Sequence, residues 1–163
     1  MIGIYPGTFD PITRGHLDII RRAGKIVERL VVAVGDNPGK VCTFDTETRM
    51  QMIRECIGDA ENVGITSFKG LMVEAAREVG ASVVIRGLRA ISDYELEVQM
   101  ALINRRLDPD LDTIILVASV DCSFISSSLI KEIAWFGGDV SKFVPEPVVK
   151  YLKKANPRLG PEQ

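Results

Sequence analysis

Short runs of almost continuous apolar residues alternate along the chain with longer segments whose apolar positions recur every three or four residues. The short runs are Ile2–Tyr5, Leu30–Val34, Val63–Phe68, Ser82–Ile85 and Thr113–Val117, and they are rich in β-branched residues. A strand apolar on both sides belongs in a sheet covered on both faces. The longer segments predict helices. Leu17, Ile20, Gly24 and Val27 fall on one face of the first, and Thr46–Ile57 reads as the second, with Thr48, Met52 and Ile53 among its positions. Leu71–Val79 is the third, closed by Gly80. Ser92–Leu107 is the fourth: Ser92 and Glu95 have capping-box spacing, and Leu96, Met100 and Ile103 form a stripe. Ser126–Trp135 and Pro147–Lys154 complete the set. Strand–helix alternation of this kind predicts an α/β fold, a doubly wound, five-stranded parallel sheet in a single domain over 1–155. Residues 156–163, with two prolines and a glycine, read as a frayed tail.

Such a sheet binds ligands outside the carboxyl ends of its strands, so the strand-to-helix loops are where chemistry is expected. Composition narrows which chemistry. The formal net charge of −2 gives no overall attraction to nucleic acid or to an anionic membrane, so neither is expected as a partner. No apolar run reaches the ~18 residues of a membrane span. Met1-Ile2-Gly3-Ile4-Tyr5 carries neither a basic stretch nor a cleavage site, and Cys42, Cys56 and Cys122 show no CxxC spacing. A reducing cytoplasm is therefore the expected compartment. One histidine, His16, excludes a His-rich metal centre.

Four loops carry residues suited to phosphate. After the first strand, Gly7 allows close backbone approach, Thr8 offers a hydroxyl, and Gly15-His16 lies where a helix begins. Ile85-Arg86-Gly87-Leu88-Arg89 places two guanidinium forks three residues apart on what reads as a tight glycine turn. Ser126-Ser127-Ser128 opens another helix, and Asn37-Pro38-Gly39-Lys40 leaves Lys40 free to swing. Taken singly, these are an ordinary turn, two solvated arginines, good N-caps and a surface lysine. Their collection at one edge of one sheet points to phosphoryl or nucleotidyl transfer, which needs positioning and charge stabilisation more than a covalent nucleophile. Neither GxxxxGK[ST] nor a GxGxxG after the first strand is present, which disfavours a P-loop kinase and dinucleotide-dependent redox chemistry.

Tyr5-Pro6-Gly7-Thr8-Phe9-Asp10-Pro11-Ile12-Thr13-Arg14-Gly15-His16 resembles the first signature of the bacterial phosphopantetheine adenylyltransferases, in the T-x-G-H form of a wider nucleotidyltransferase motif. Ile85 to Ala90, Asp93-Tyr94-Glu95 with Glu97, and Phe124 to Glu132 resemble that family in the same order. The resemblance implies a transfer of the adenylyl group of ATP to 4′-phosphopantetheine, giving dephospho-CoA and pyrophosphate in coenzyme A biosynthesis. By matched position it implies that Thr8 touches both substrates and that Phe9 bounds the nucleotide. His16, Lys40 and Arg89 would be catalytic, with His16 acting at the α-phosphate. Lys40 and Arg86 would hold the polar parts of phosphopantetheine, and Met72 would line its channel. Gly87, Leu88, Arg89 and Glu97 would serve ATP, and Cys122, Ser123, Phe124, Ile125, Ser126, Ser127 and Ser128 would wrap the remaining nucleotide groups. Magnesium with ATP and a homohexamer are implied as well. Leu96 and Cys122 depart from the aromatic residues common at those positions in the family.

The phosphate of phosphopantetheine is already anionic, so direct in-line attack needs no general base, and His16, Lys40, Arg89 and helix-start amides are expected to supply positive potential. Two other readings fit the same residues. One is an adenylyl- or cytidylyltransferase for a different small phosphate; the other is a non-catalytic nucleotide sensor.

Overall fold

Five parallel strands in the order β3-β2-β1-β4-β5 form the centre of the molecule. The computed structural model describes residues 1–36, 39 and 41–156. The strands are β1 (Ile2–Gly7), β2 (Arg29–Gly35), β3 (Val63–Phe68), β4 (Val83–Leu88) and β5 (Asp112–Val117). The helices are α1 (Arg14–Ala23), α2 (Thr46–Ile57), α3 (Met72–Glu78), α4 (Ile91–Leu107), α5 (Ser127–Trp135) and α6 (Glu146–Ala155), with a 3-10 turn at Val120–Cys122. Among the described residues, no helix is long and apolar enough to cross a membrane.

Alternation along each strand divides the core in two. Tyr5, Val32, Val34, Val83 and Ile85 face the larger cluster, which is completed from α1, α2, α5 and α6 by residues such as Ile20, Met52, Ile130 and Val148. Ile4, Ala33 and Val84 face the other way, onto Val73, Ala75 and Ala76 of α3. Near-continuous apolar strands are what burial on both faces requires. Local chemistry sets the helix ends. Asp45 accepts a hydrogen bond from the Thr48 amide at the start of α2, and Ser126 does the same for Leu129 at the start of α5. Gly80, at φ +68°, turns the chain out of α3, and Ala81 N–H reaches back to Ala76 O at 2.8 Å.

The structure corrects four expectations. Arg86 and Gly87 lie within β4, not on a turn, because the pairing with β5 continues to Leu88 opposite Val117. Helix α4 begins at Ile91, with Ala90 at its N-cap and no side-chain cap, so the N-cap is not the Ser92 that a capping box with Glu95 requires. Its Leu96–Met100–Ile103 stripe is exposed, at 61%, 41% and 53%, while Glu97 and Asn104 are buried at 7% and 8%. Glu97 faces inward because it pairs with Arg86, as the site below shows. Asn156 belongs to the folded body and not to a frayed tail: it is buried, and its side-chain amide donates to the carbonyls of Ala134 and Trp135. Residues 157–163 lie outside the described residues.

A charge sits on the buried face of α2. Arg49, 2% exposed, precedes Met52 and Ile53 by three and four positions. It makes no ion pair among the described residues. Its guanidinium donates to Thr8 O at 2.7 Å, Gly35 O at 3.0 Å, Phe44 O at 3.1 Å and Thr46 Oγ1 at 3.0 Å. One side chain thus ties the carboxyl ends of β1 and β2 to the start of α2. Arg49→Met keeps the aliphatic length but removes the donor from three carbonyls, each costing about 1–3 kcal/mol if left unsatisfied. A loss of about 3 kcal/mol or more is expected in urea denaturation. A loss below about 1 kcal/mol would show that water replaces the guanidinium.

Candidate active site

The crossovers from β1 through β2 to β3 run one way from β1, and those reaching β4 and β5 run the other, so the helical layers part above β1 and β4. Two cavities open there. The first, of about 890 Å³, is bounded by the loop after β1, the start of α1, Arg89 and the start of α5. The second, of about 820 Å³, runs between α3 and α4 and is walled by Leu71, Met72, Val73, Met100 and Ile103. Pro6, Gly7, Thr8, Arg86 and Glu97 belong to both.

His16 stands at the first cavity because Thr13 caps α1. The His16 amide donates to Thr13 Oγ1 at 3.4 Å, and the Thr13 amide donates back to His16 Nδ1 at 3.1 Å. This reciprocal cap makes Nδ1 an acceptor, so the hydrogen-bond pattern assigns the ring proton to Nε2. Phe9, buried at 2%, lies edge-on to the imidazole with ring centroids 5.0 Å apart. Burial, and after it the cationic Arg89 and Arg86, together lower the His16 pKa from 6.5 to about 4. His16 is therefore a neutral donor near pH 7. Whatever positive potential it offers a phosphate is that of its N–H dipole and not of a full charge.

Arg86 and Glu97 form a two-pronged pair: Nε to Oε2 at 2.6 Å and Nη2 to Oε1 at 2.7 Å. Nη1 donates to Pro6 O at 3.0 Å. Much of the guanidinium expected to hold an acceptor phosphate is thus committed to Glu97. Arg89, exposed beyond the end of β4, is braced by Asp93 at 3.1 Å. Strand alternation places Gly87 on the α1 side, where an added Cβ would lie 3.1 Å from Ile19.

The first cavity brings together Thr8, Phe9, His16, Arg86, Gly87, Arg89, Glu97, Ile125, Ser126, Ser127 and Ser128. Leu88, Cys122, Ser123 and Phe124 do not line it; Phe124 packs edge-on against Phe143 instead. Ser126 caps α5 and the Ser127 hydroxyl donates to Pro11 O at 2.8 Å, so two of the three serines hold the loop in place. Met72 lines the second cavity. Asn37, Pro38 and Lys40 lie outside the described residues; Gly39, Val41 and Cys42 line the first cavity.

Three features escaped the sequence reading. Asp10, 4% exposed, accepts from Thr43 N at 2.9 Å, Phe44 N at 3.0 Å and Lys131 Nζ at 2.6 Å, which joins the β1–α1 loop to the segment before α2 and to α5. Both Asp10 and Lys131 lie in recognised segments, but spacing gave no sign that they meet. Arg49 was legible as a charge in register with Met52 and Ile53. Asn104 lines the second cavity with a side-chain amide that has no hydrogen-bond partner among the described residues. Its only sequence signal is helical register with Glu97, seven residues earlier.

The His16 assignment has a direct spectroscopic test, because the chain has a single histidine. Its folded pKa lies below the ordinary value, so the stability tied to the neutral ring is present above pH 6.5 and falls away toward pH 4. NMR titration of the imidazole should show a midpoint near 4. A midpoint near 6.5 would contradict the burial argument.

Comparison with known proteins places this geometry. The cytidylyltransferase-like family model matches residues 4–133. The phosphopantetheine adenylyltransferase of Alkaliphilus metalliredigens is 50% identical over 94% of this chain and 98% of its own length. That of the Wolbachia of Brugia malayi is 53% identical over 99% and 96%. Among solved structures, a bifunctional NMN adenylyltransferase/ADP ribose pyrophosphatase from Francisella tularensis superposes with a TM-score of 0.70 at 15% identity, covering 97% of this chain and 51% of that one. This last likeness speaks to the fold alone; the chain spans about half the length of that protein. The chain belongs to the cytidylyltransferase-like family and, within it, to the phosphopantetheine adenylyltransferases.

Proposed function

We infer that the chain joins the AMP of ATP to 4′-phosphopantetheine, releasing pyrophosphate and giving dephospho-CoA. The observation that carries this reading is the meeting of two unlike cavities at Thr8, Arg86 and Glu97. The first is ringed by phosphate-suited groups: Arg89, His16 and the amide ends of α1 and α5. The second is a largely apolar groove in which the Asn104 amide has no partner among the described residues, which suits an arm that is apolar except for its own amides.

In this reading a phosphate oxygen of phosphopantetheine attacks the α-phosphorus of ATP, and the bond from that phosphorus to the bridging oxygen of the departing pyrophosphate breaks. No proton has to be removed from the nucleophile. The barrier lies in bringing two anions together and in charge on the leaving group. Nε2–H of His16 is fixed by its cap, so it donates to the α-phosphate without reorganising. Arg89 meets the nucleotide phosphates. Arg86, held by Glu97, orients the acceptor end with its remaining donors. Lys40 takes the acceptor phosphate by the family pattern; its described neighbours Gly39, Val41 and Cys42 line the first cavity, which supports that role.

Magnesium belongs to this proposal through ATP. Asp10, Asp93 and Glu97, the carboxylates at the first cavity, are each engaged by Lys131, Arg89 or Arg86. They offer no cage, and the ion would neutralise charge on the phosphates that carry it. A homohexamer also belongs here, and the exposed apolar stripe of α4 supports self-association. A cytoplasmic location is consistent with three free cysteines.

Pyrophosphate release from ATP with phosphopantetheine, set against a panel of other phosphorylated acceptors and CTP, tests the assignment. Release only with a different acceptor or nucleotide would redirect it. His16→Ala should leave circular dichroism unchanged and reduce kcat by roughly 10²–10³, the cost of one preorganised donor. Near-wild-type kcat would remove His16 from the chemistry. Asn104→Leu should raise the KM for phosphopantetheine by roughly 2- to 13-fold, the range for one neutral hydrogen bond, with the KM for ATP unchanged. A change confined to ATP would move Asn104 to the other site.

A further inference from the structure

Tyr5 is 5% exposed and stands on β1 with its ring toward α1, edge-on to Phe9 at 5.4 Å. Its hydroxyl has no hydrogen-bond partner among the described residues. A buried hydroxyl left so is costly unless water or a ligand satisfies it. It is not sealed in, since no unpartnered side-chain nitrogen or oxygen among the described residues is cut off from solvent. Tyr5 lines the first cavity, so the hydroxyl opens there.

The surroundings indicate what it meets. The space before it is kept clear by Gly87, where an added Cβ would sit 3.7 Å from the Tyr5 hydroxyl and 3.1 Å from Ile19. Ile19, Gly87 and Ala118 supply an uncharged wall on that side of the cavity. Ile19 lies a turn further along α1 than the cap of Thr13 and His16, where the anion-attracting amides are. The nearby Arg86 and Arg89 are held by Glu97 and Asp93. Burial pushes the phenol well above its ordinary pKa, so it remains a neutral group able to donate or accept. Phosphates are better served by the charged and amide donors elsewhere in the cavity; this wall suits an uncharged ring or sugar bearing a polar atom.

We propose that the Tyr5 hydroxyl is a nucleotide-binding group that hydrogen-bonds the nucleoside portion of ATP and not its phosphates. This rests on the assignment of ATP to the first cavity. Tyr5→Phe deletes only the oxygen, which has no partner to lose among the described residues, so the melting temperature should stay at the wild-type value. The KM for ATP, and the calorimetric Kd for ATP without acceptor, should rise roughly 2- to 13-fold. The KM for phosphopantetheine and the Kd for inorganic pyrophosphate should not move. In unmutated protein labelled at the tyrosine ζ-carbon, the Tyr5 resonance should shift with ATP and stay in place with pyrophosphate, a readout independent of how the variant folds. Unchanged ATP values with no resonance shift would mean that the hydroxyl meets only water, and an equal loss for pyrophosphate would place it among the phosphate ligands. Either result overturns the proposal. Wild-type protein that neither binds ATP nor releases pyrophosphate from it would instead overturn the ATP assignment itself.

Discussion

Everything at the candidate site depends on β1 lying between β2 and β4. A right-handed crossover carries the chain to one face of a sheet, and reversing the strand order moves the next crossovers to the other face. The helical layers must therefore separate over the carboxyl ends of β1 and β4. Alternation along the strands then divides the work. Tyr5 and Gly87 turn toward the layer of α1, while Arg86 turns toward α4 and meets Glu97 there. One sheet edge thus presents two chemically different cavities, and the residues that both share are those of the strand ends themselves.

The electrostatics follow a consistent pattern in which buried charge is used to fix backbone. Arg49 gathers the carbonyls of Thr8, Gly35 and Phe44, and Asp10 gathers the amides of Thr43 and Phe44 together with the Lys131 ammonium. Neither group is free to follow a ligand. Buried pairs such as Arg86 and Glu97 contribute little net stability once desolvation is counted, so their value here is geometric. His16 fits the same pattern in neutral form. Its Nδ1 is spent on the Thr13 amide, and this leaves Nε2–H aimed by the helix start instead of by a flexible side chain. A donor that is already oriented does not have to reorganise as charge develops.

Much of this was legible in the residues. Five strands and six helices occur in the order that period and β-branching predict, and Thr46–Ile57 and Val63–Phe68 match to the residue, whereas α1 ends at Ala23, before the Gly24 and Val27 expected on its face. The misreadings share a cause. A charge and a glycine are unusual in a buried strand, so Arg86 and Gly87 suggest a turn, yet pairing with β5 and the carboxylate of Glu97 make both acceptable there. The α4 stripe is visible in the spacing, but apolar spacing alone cannot say which side of a helix faces the protein, and Leu96, Met100 and Ile103 are exposed. Contacts between residues far apart in sequence, such as Asp10 with Lys131, are beyond any periodicity argument.

Helix α4 joins these observations. Asp93, Glu97 and Asn104 lie on its inward side, where Asp93 braces Arg89, Glu97 grips Arg86, and Asn104 looks into the apolar groove. Seven residues of α-helix rise about 10 Å, so Glu97 and Asn104 hold a fixed separation along the axis from the junction of the cavities into the second of them. A loop could not maintain that spacing as each ligand arrives. A helix can, provided these three residues are the ones turned inward, and the two-pronged bond from Arg86 to Glu97 holds it in that orientation with Leu96 and Ile103 left exposed. The burial of Glu97 and Asn104 on α4 is therefore the structural consequence of using one rigid element to register a charged site against an apolar one.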